Sequence, residues 1–123
     1  MHMKHIYSIV ILLFLVCLPS AGMDMSVDSL NLLKTQADSA YANEDFEGAE
    51  RIYLQLAEQG ESAVVCYNLG CTYYRQDNIA KAVLWFERAA QLDPSDDDIR
   101  FNLAMARGKT IDRIIPRHEM FFV

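Results

Sequence analysis

The sequence predicts an all-α chain of stacked helix–turn–helix hairpins behind an apolar N-terminal segment. Three observations carry this. From Ser29 onward, apolar residues recur at spacings of three and four, with no sustained alternation of period two. Turn signals at Asn43-Glu44-Asp45, Gly60, Asp77-Asn78 and Asp93-Pro94 cut that pattern into helix-length pieces. The pieces also resemble one another at a period of about 34 residues, which is the mark of a repeat architecture.

The elements follow in order. A first helix is predicted over about Ser29–Ala42, with Asp28 or Ser29 as its N-cap. The second covers about Phe46–Gln59 and stops at Gly60, read as a left-handed C-terminal glycine. The third covers about Ser62–Gln76, and the fourth about Ile79–Leu92. A fifth begins at Ser95, with Asp98 three residues on in a capping-box arrangement, and reaches at least Ala106 before Gly108 weakens it. Residues 109–123 form a tail or capping segment, in which Ile111, Ile114 and Ile115 stand at helical spacing before Pro116.

Composition narrows the function. The chain has 123 residues, 52% of them apolar and 23% charged, so it is one domain and not a disordered chain. A net charge of -6 argues against nucleic acid, since binding phosphates needs a basic face. Three cysteines, one of them Cys17 near the N-terminus, make no disulfide framework.

Residues 1–21 have the layout of a targeting segment. Lys4 precedes an apolar run from Ile6 to Leu18, broken only by Ser8, and Pro19-Ser20-Ala21-Gly22 follows. That run is shorter than the roughly 20 residues that span a bilayer. The reading is a signal peptide cleaved near Ala21 or Gly22, or an uncleaved anchor that touches a membrane through residues 6–18. Val16 stands where a lipoprotein would have a small residue before Cys17. The protein is therefore expected outside the cytoplasm, in the periplasm or membrane-associated in the envelope.

The clearest unit is Ala63–Asp96, with Asn68-Leu69-Gly70, Tyr73-Tyr74, Ala82, Phe86, Ala89 and Pro94. It resembles the tetratricopeptide repeat (TPR) over its full 34 residues, except that Cys66 replaces the usual Trp. Gly70 and Ala82 are small where two helices would cross, with Tyr73 and Phe86 beside that crossing. A fainter copy lies 33 residues earlier, with Ala37, Ala40, Ala49, Tyr53 and Leu56 under Gly70, Tyr73, Ala82, Phe86 and Ala89. Asn102-Leu103-Ala104 begins a third copy. The resemblance thus implies a right-handed superhelix of about 2.5 repeats within residues 28–108: about 30–62, 63–96 and a partial 97–108.

In a TPR stack the first helix of each pair lines a concave groove. The resemblance places Asn31, Lys34, Asp38, Tyr41 and Ala42 there from the first repeat. Val64, Tyr67, Cys71, Tyr74 and Arg75 follow from the second, and Asp98, Phe101 and Met105 from the third. Tyr67, Cys71 and Tyr74 share one helical face by geometry alone. An aromatic, sulfur-containing floor suits an extended peptide or a helix of a protein partner. The alternative is that Tyr67 and Tyr74 belong to the core between repeats. The candidate contacts are Tyr67, Cys71, Tyr74 and Arg75, then Lys34 and Asn68, with Tyr41 and Phe101. Lys34 and Asn68 also fit the clamp that some TPR proteins use for C-terminal carboxylates, but Asp38 and Asp98 would repel such a ligand.

Other motifs point to no chemistry. Gly108-Lys109-Thr110 lacks the earlier glycine and preceding strand of a phosphate loop. The acidic run at Asp93–Asp98 lacks calcium-loop spacing. Cys66 and Cys71 lie five apart on one helix, so they point about 140° apart and cannot pair within it. No catalytic set, metal site or cofactor site is predicted. The tail, from Asn102 through Thr110-Ile111-Asp112-Arg113-Ile114 to Pro116 and Phe121-Phe122, resembles the BatE-like TPR proteins of the bacterial aerotolerance operon. That resemblance implies an exported protein in a membrane-associated assembly with von Willebrand-type partners. Longer members continue into apolar membrane segments, so stopping at Val123 implies a short variant or a truncated product. Self-association through the incomplete third repeat is the alternative to partner binding.

Overall fold

The computed structural model describes residues 24–114, which fold into five helices with no strand among them. They are α1 (Val27–Ala42), α2 (Phe46–Gln59), α3 (Ala63–Arg75), α4 (Ile79–Leu92) and α5 (Asp97–Ile114). The leader expected at residues 1–21 and the tail after Ile114 lie outside the described residues.

Each helix packs on the next in the chain, and α3 also touches α5. Near-neighbour packing of this kind is what a stack of hairpins produces. The 33–34-residue period is visible in burial. Ala49 and Ala82 are both fully buried, Tyr53 and Phe86 are 2% and 1% exposed, and Leu56 and Ala89 are buried beside them. One period further on, Ile99 and Leu103 are buried like Val65 and Leu69. Burying one of the larger side chains among them, such as Leu56, Phe86 or Leu103, stabilises by about 1.5–3 kcal/mol.

Gly70 shows why small residues recur at the crossings. A Cβ built there would lie 2.5 Å from Cδ1 and 2.6 Å from Cε1 of Phe86. The aromatic ring of α4 occupies the space that any larger residue on α3 would need. Ala37 and Tyr53 hold the same positions in the first hairpin, and both are buried.

Most helix boundaries follow the sequence reading, and the departures have local causes. α1 starts at Val27, because Ser26 is the residue whose hydroxyl accepts the Ser29 N–H. Asp96, not Ser95, caps α5, with its carboxylate accepting the N–H groups of Asp98 and Ile99. The Ser95 hydroxyl and N–H are engaged by Asp93 instead. Gly60 has φ 162, which is extended backbone, so α2 does not end on a left-handed glycine.

The largest departure is at the end of α5, which runs through Gly108 to Ile114 without a turn. The two hairpin turns explain this. Each places one residue in the left-handed region, Glu44 at φ 63 and Asp77 at φ 62. The next residue then donates its N–H back across the turn, Asp45 to Ala40 and Asn78 to Tyr73. One period after Asp77 stands Ile111. A β-branched side chain is costly at positive φ, so the helix continues where the third turn would form. The expected separate capping segment is thus, through Ile114, the last turns of α5. Its Ile111 and Ile114 are 57% and 73% exposed and do not pack on the preceding repeat.

Candidate functional site

The hairpins bring Tyr41 of α1, Tyr53 of α2, and Tyr67, Asn68 and Cys71 of α3 around one cavity of about 220 Å³. Four of these five were expected at the groove. Tyr53 was assigned to the core, as the counterpart of Phe86. Its ring is buried as expected, but its hydroxyl reaches out to donate to Asp38. A phenol rather than a phenyl at that position is the sequence signal for this second role.

The cavity walls are braced from three helices. Asn102 of α5 donates to the Tyr67 hydroxyl at 2.9 Å, and the Tyr67 ring lies 5.8 Å from that of Phe86. Lys34 donates to Asp38 at 2.6 Å, so a lysine, a carboxylate and the Tyr53 phenol form a continuous network along one wall. Burial alone would raise the Asp38 pKa, but the hydrogen bonds from Lys34 and Tyr53 and the lysine charge outweigh it and hold the carboxyl below its usual value. Burial, helped by Cys71, pushes the Tyr67 phenol up to about 12. Burial also raises the Cys71 thiol, so at neutral pH it is a neutral, weakly polar group rather than a nucleophile.

The remaining expected residues are distributed around this centre. Arg75 lies 4.7 Å over the Phe46 ring and 6.0 Å from Tyr41, and it pairs with Glu44 at 3.2 Å. Tyr74 is half-buried, with the Lys109 ammonium 4.4 Å over its ring. This contact needs the extension of α5 past Gly108, so sequence reasoning missed Lys109. Lys34 also borders a neighbouring depression of about 230 Å³ with Leu30, Asn31, Leu56 and Val65. Phe101 stands apart from the cavity, 69% exposed on α5. Among the described residues no group of His, Cys, Asp and Glu could hold a metal ion. No helix among them is long and apolar enough to cross a membrane. Cys66 and Cys71 are both free thiols, the first fully buried.

The cavity can receive an apolar or aromatic side chain between tyrosine rings, with the Asn68 amide available to hydrogen-bond a main chain. Cation-backed aromatic pairs at Arg75 and Tyr74 extend that surface. Comparison with known proteins agrees with this architecture. Residues 63–96 match the tetratricopeptide repeat family model. Intraflagellar transport protein 70A of Xenopus tropicalis is 31% identical over 85 residues, 68% of this chain. The same protein of Xenopus laevis matches to the same extent. The matching stretch spans 13% of the length of these curated relatives. Family match, 34-residue register and the Gly70–Phe86 crossing coincide: the chain carries a tetratricopeptide repeat at residues 63–96, flanked by a second hairpin and a further helix.

Proposed function

We propose that this protein is an interaction scaffold that holds a peptide or helix of a protein partner against the face formed by Tyr41, Tyr67, Asn68 and Cys71. Tyr74 and Arg75 extend that face at one end, and Lys34 at the other. The observation that carries the reading is the tyrosine-lined cavity shared by α1, α2 and α3, with Tyr67 oriented by Asn102 from α5. A tetratricopeptide repeat generally serves protein recognition, and the cavity's chemistry suits that use. Its tyrosines offer large rigid contact area at low entropic cost, and the reading assigns the site no catalysis, metal or cofactor.

The finer setting is part of the same proposal. Repeats stacked as a right-handed superhelix would make the cavity the floor of a concave groove. The apolar leader and the tail resemblance support export to the cell envelope, a membrane-associated partner complex and a role in aerotolerance or stress resistance. Replacing Tyr67 and Tyr74 together by Ala tests the site. Partner recovery in a pull-down should be lost while helicity by circular dichroism is unchanged. Recovery equal to that of the native chain removes the groove from the account.

A further inference from the structure

The tyrosine-lined cavity has a second hollow beside it. This one, of about 120 Å³, opens between the N-terminal ends of α3 and α5 and is lined by Val64, Tyr67, Asp93, Asp96, Asp98 and Ile99. Tyr67 lines both hollows, so they adjoin across one side chain. Asn102 donates to its hydroxyl at 2.9 Å, which fixes the shared wall.

The second hollow has two kinds of surface. Val64 is 54% exposed and, with the Tyr67 ring, makes an apolar flank. The three aspartates supply the charge, and no basic residue lines the hollow. Nor are they neutralised from nearby. Among the described residues none of the three is in an ion pair, and the cations nearest in sequence, Arg88 and Arg100, pair with Glu61 and Asp97 instead. Asp93 and Asp96 serve the chain as turn and cap, accepting from Ser95 and from the N–H groups of Asp98 and Ile99. The Asp98 carboxylate accepts no hydrogen bond among the described residues. Asp96 and Asp98 also act on the shared wall, adding to the burial that raises the Tyr67 phenol.

The hollow's chemistry selects the kind of cation. The aspartates form no group that could hold a metal ion. An apolar flank beside carboxylates suits a lysine or arginine side chain, whose methylene stem covers apolar surface while its charged head stays among polar groups. The face of the Tyr67 ring is a further partner for that head.

We propose that the segment held in the groove carries a basic side chain beside an aromatic or large aliphatic one, the second filling the tyrosine cavity and the first lying between Tyr67 and the three aspartates. This rests on the groove assignment above and adds the partner's charge to it. Two residues apart on one face of an extended segment, side chains stand about 6.6 Å from each other, so such a pair straddles Tyr67.

Panning random peptides displayed on phage against the immobilised 123-residue chain tests this. The expected result is enrichment of Lys or Arg two positions from an aromatic or large aliphatic residue. Asp98→Lys should remove the basic preference and keep the apolar one, with helicity unchanged because Asp98 is exposed. Glu58→Lys, the same change of charge at an exposed position of α2, should leave both preferences. A synthetic peptide of the enriched sequence should lose about fivefold in affinity when its basic residue becomes Glu. That Glu peptide should bind Asp98→Lys more tightly than the native chain. Enrichment of apolar residues with no basic preference overturns the proposal and leaves the groove assignment standing. A basic preference that survives Asp98→Lys, or that Glu58→Lys also abolishes, overturns it as well, since another surface or the net charge would be the cause. No enrichment, or selected peptides that bind Tyr67→Ala as tightly as the native chain, removes the groove itself and the proposal with it.

Discussion

Adding one methyl group at Gly70 probes the packing that holds the hairpins together. In Gly70→Ala the new carbon would sit 2.5 Å from a Phe86 ring carbon, far inside van der Waals contact. Phe86 is 1% exposed, so its ring has no open space to move into. Overpacking of this kind costs about 1–3 kcal/mol. The helix propensity of Ala returns about 1 kcal/mol, which leaves a net loss of up to about 2 kcal/mol. Gly108→Ala supplies the control, because it adds the same methyl to a helix where nothing lies within 4 Å. That variant should gain about 0.5–1 kcal/mol. The difference between the two variants isolates the clash at about 1–3 kcal/mol. For a domain of this size it appears as a gap of at least about 4 °C between their melting temperatures. Thermal melts by circular dichroism at low protein concentration read that gap directly. Trimming the ring with Phe86→Leu should recover part of the Gly70→Ala loss in a double-mutant cycle. Equal stabilisation by both glycine substitutions would show that Phe86 does not lie on Gly70, and the crossing geometry would be refuted.

Three further outcomes are expected. At the first hairpin turn, urea midpoints should rank Gly above Glu above Val at position 44, because φ 63 costs a β-branched residue about 1–2 kcal/mol; a Val variant as stable as the native chain would contradict the turn geometry. The lowered pKa of Asp38 contributes stability that is present above the ordinary carboxylate value of about 4 and is lost as pH falls through the lower folded value. Asp38→Asn should therefore be less stable at neutral pH and lose less on acidification from about pH 5, and parallel pH profiles of melting temperature would refute the Lys34–Asp38–Tyr53 network. Phenolate absorbance should show Tyr67 and Tyr73 ionising near 12, above the usual 10, because both phenols are partly withdrawn from water and Tyr73 also donates to Glu50. Normal titration of every tyrosine would mean that the cavity is open to water.

Legibility in the sequence differed by type of feature. The hairpins, their boundaries near Phe46–Gln59 and Ile79–Leu92, and the Gly70–Phe86 crossing were legible because small, large and turn residues sit at fixed separations. Tyr67, Asn68, Cys71 and Tyr41 were placed together by the register of the repeat. What the pattern hid depends on single side chains acting against it. Ile111 looked like a member of an apolar stripe, yet it stands one period after the left-handed Asp77, where a β-branched side chain disfavours the turn and the helix runs on to Ile114. Asp96 took the capping role expected of Ser95 because three adjacent aspartates make the choice of cap a matter of local geometry. Tyr53 was read only for its hydrophobic ring, since a hydroxyl partner 15 residues away is invisible until the hairpin closes.

The central claim is that a protein partner rests on the cavity around Tyr67. A photoreactive phenylalanine analogue placed at position 67, with a parallel chain carrying it at exposed Arg51 on α2, tests this in the native cells. The account expects a discrete protein adduct from position 67 and none of the same mass from position 51. An adduct formed from position 51 while position 67 stays unmodified would contradict it.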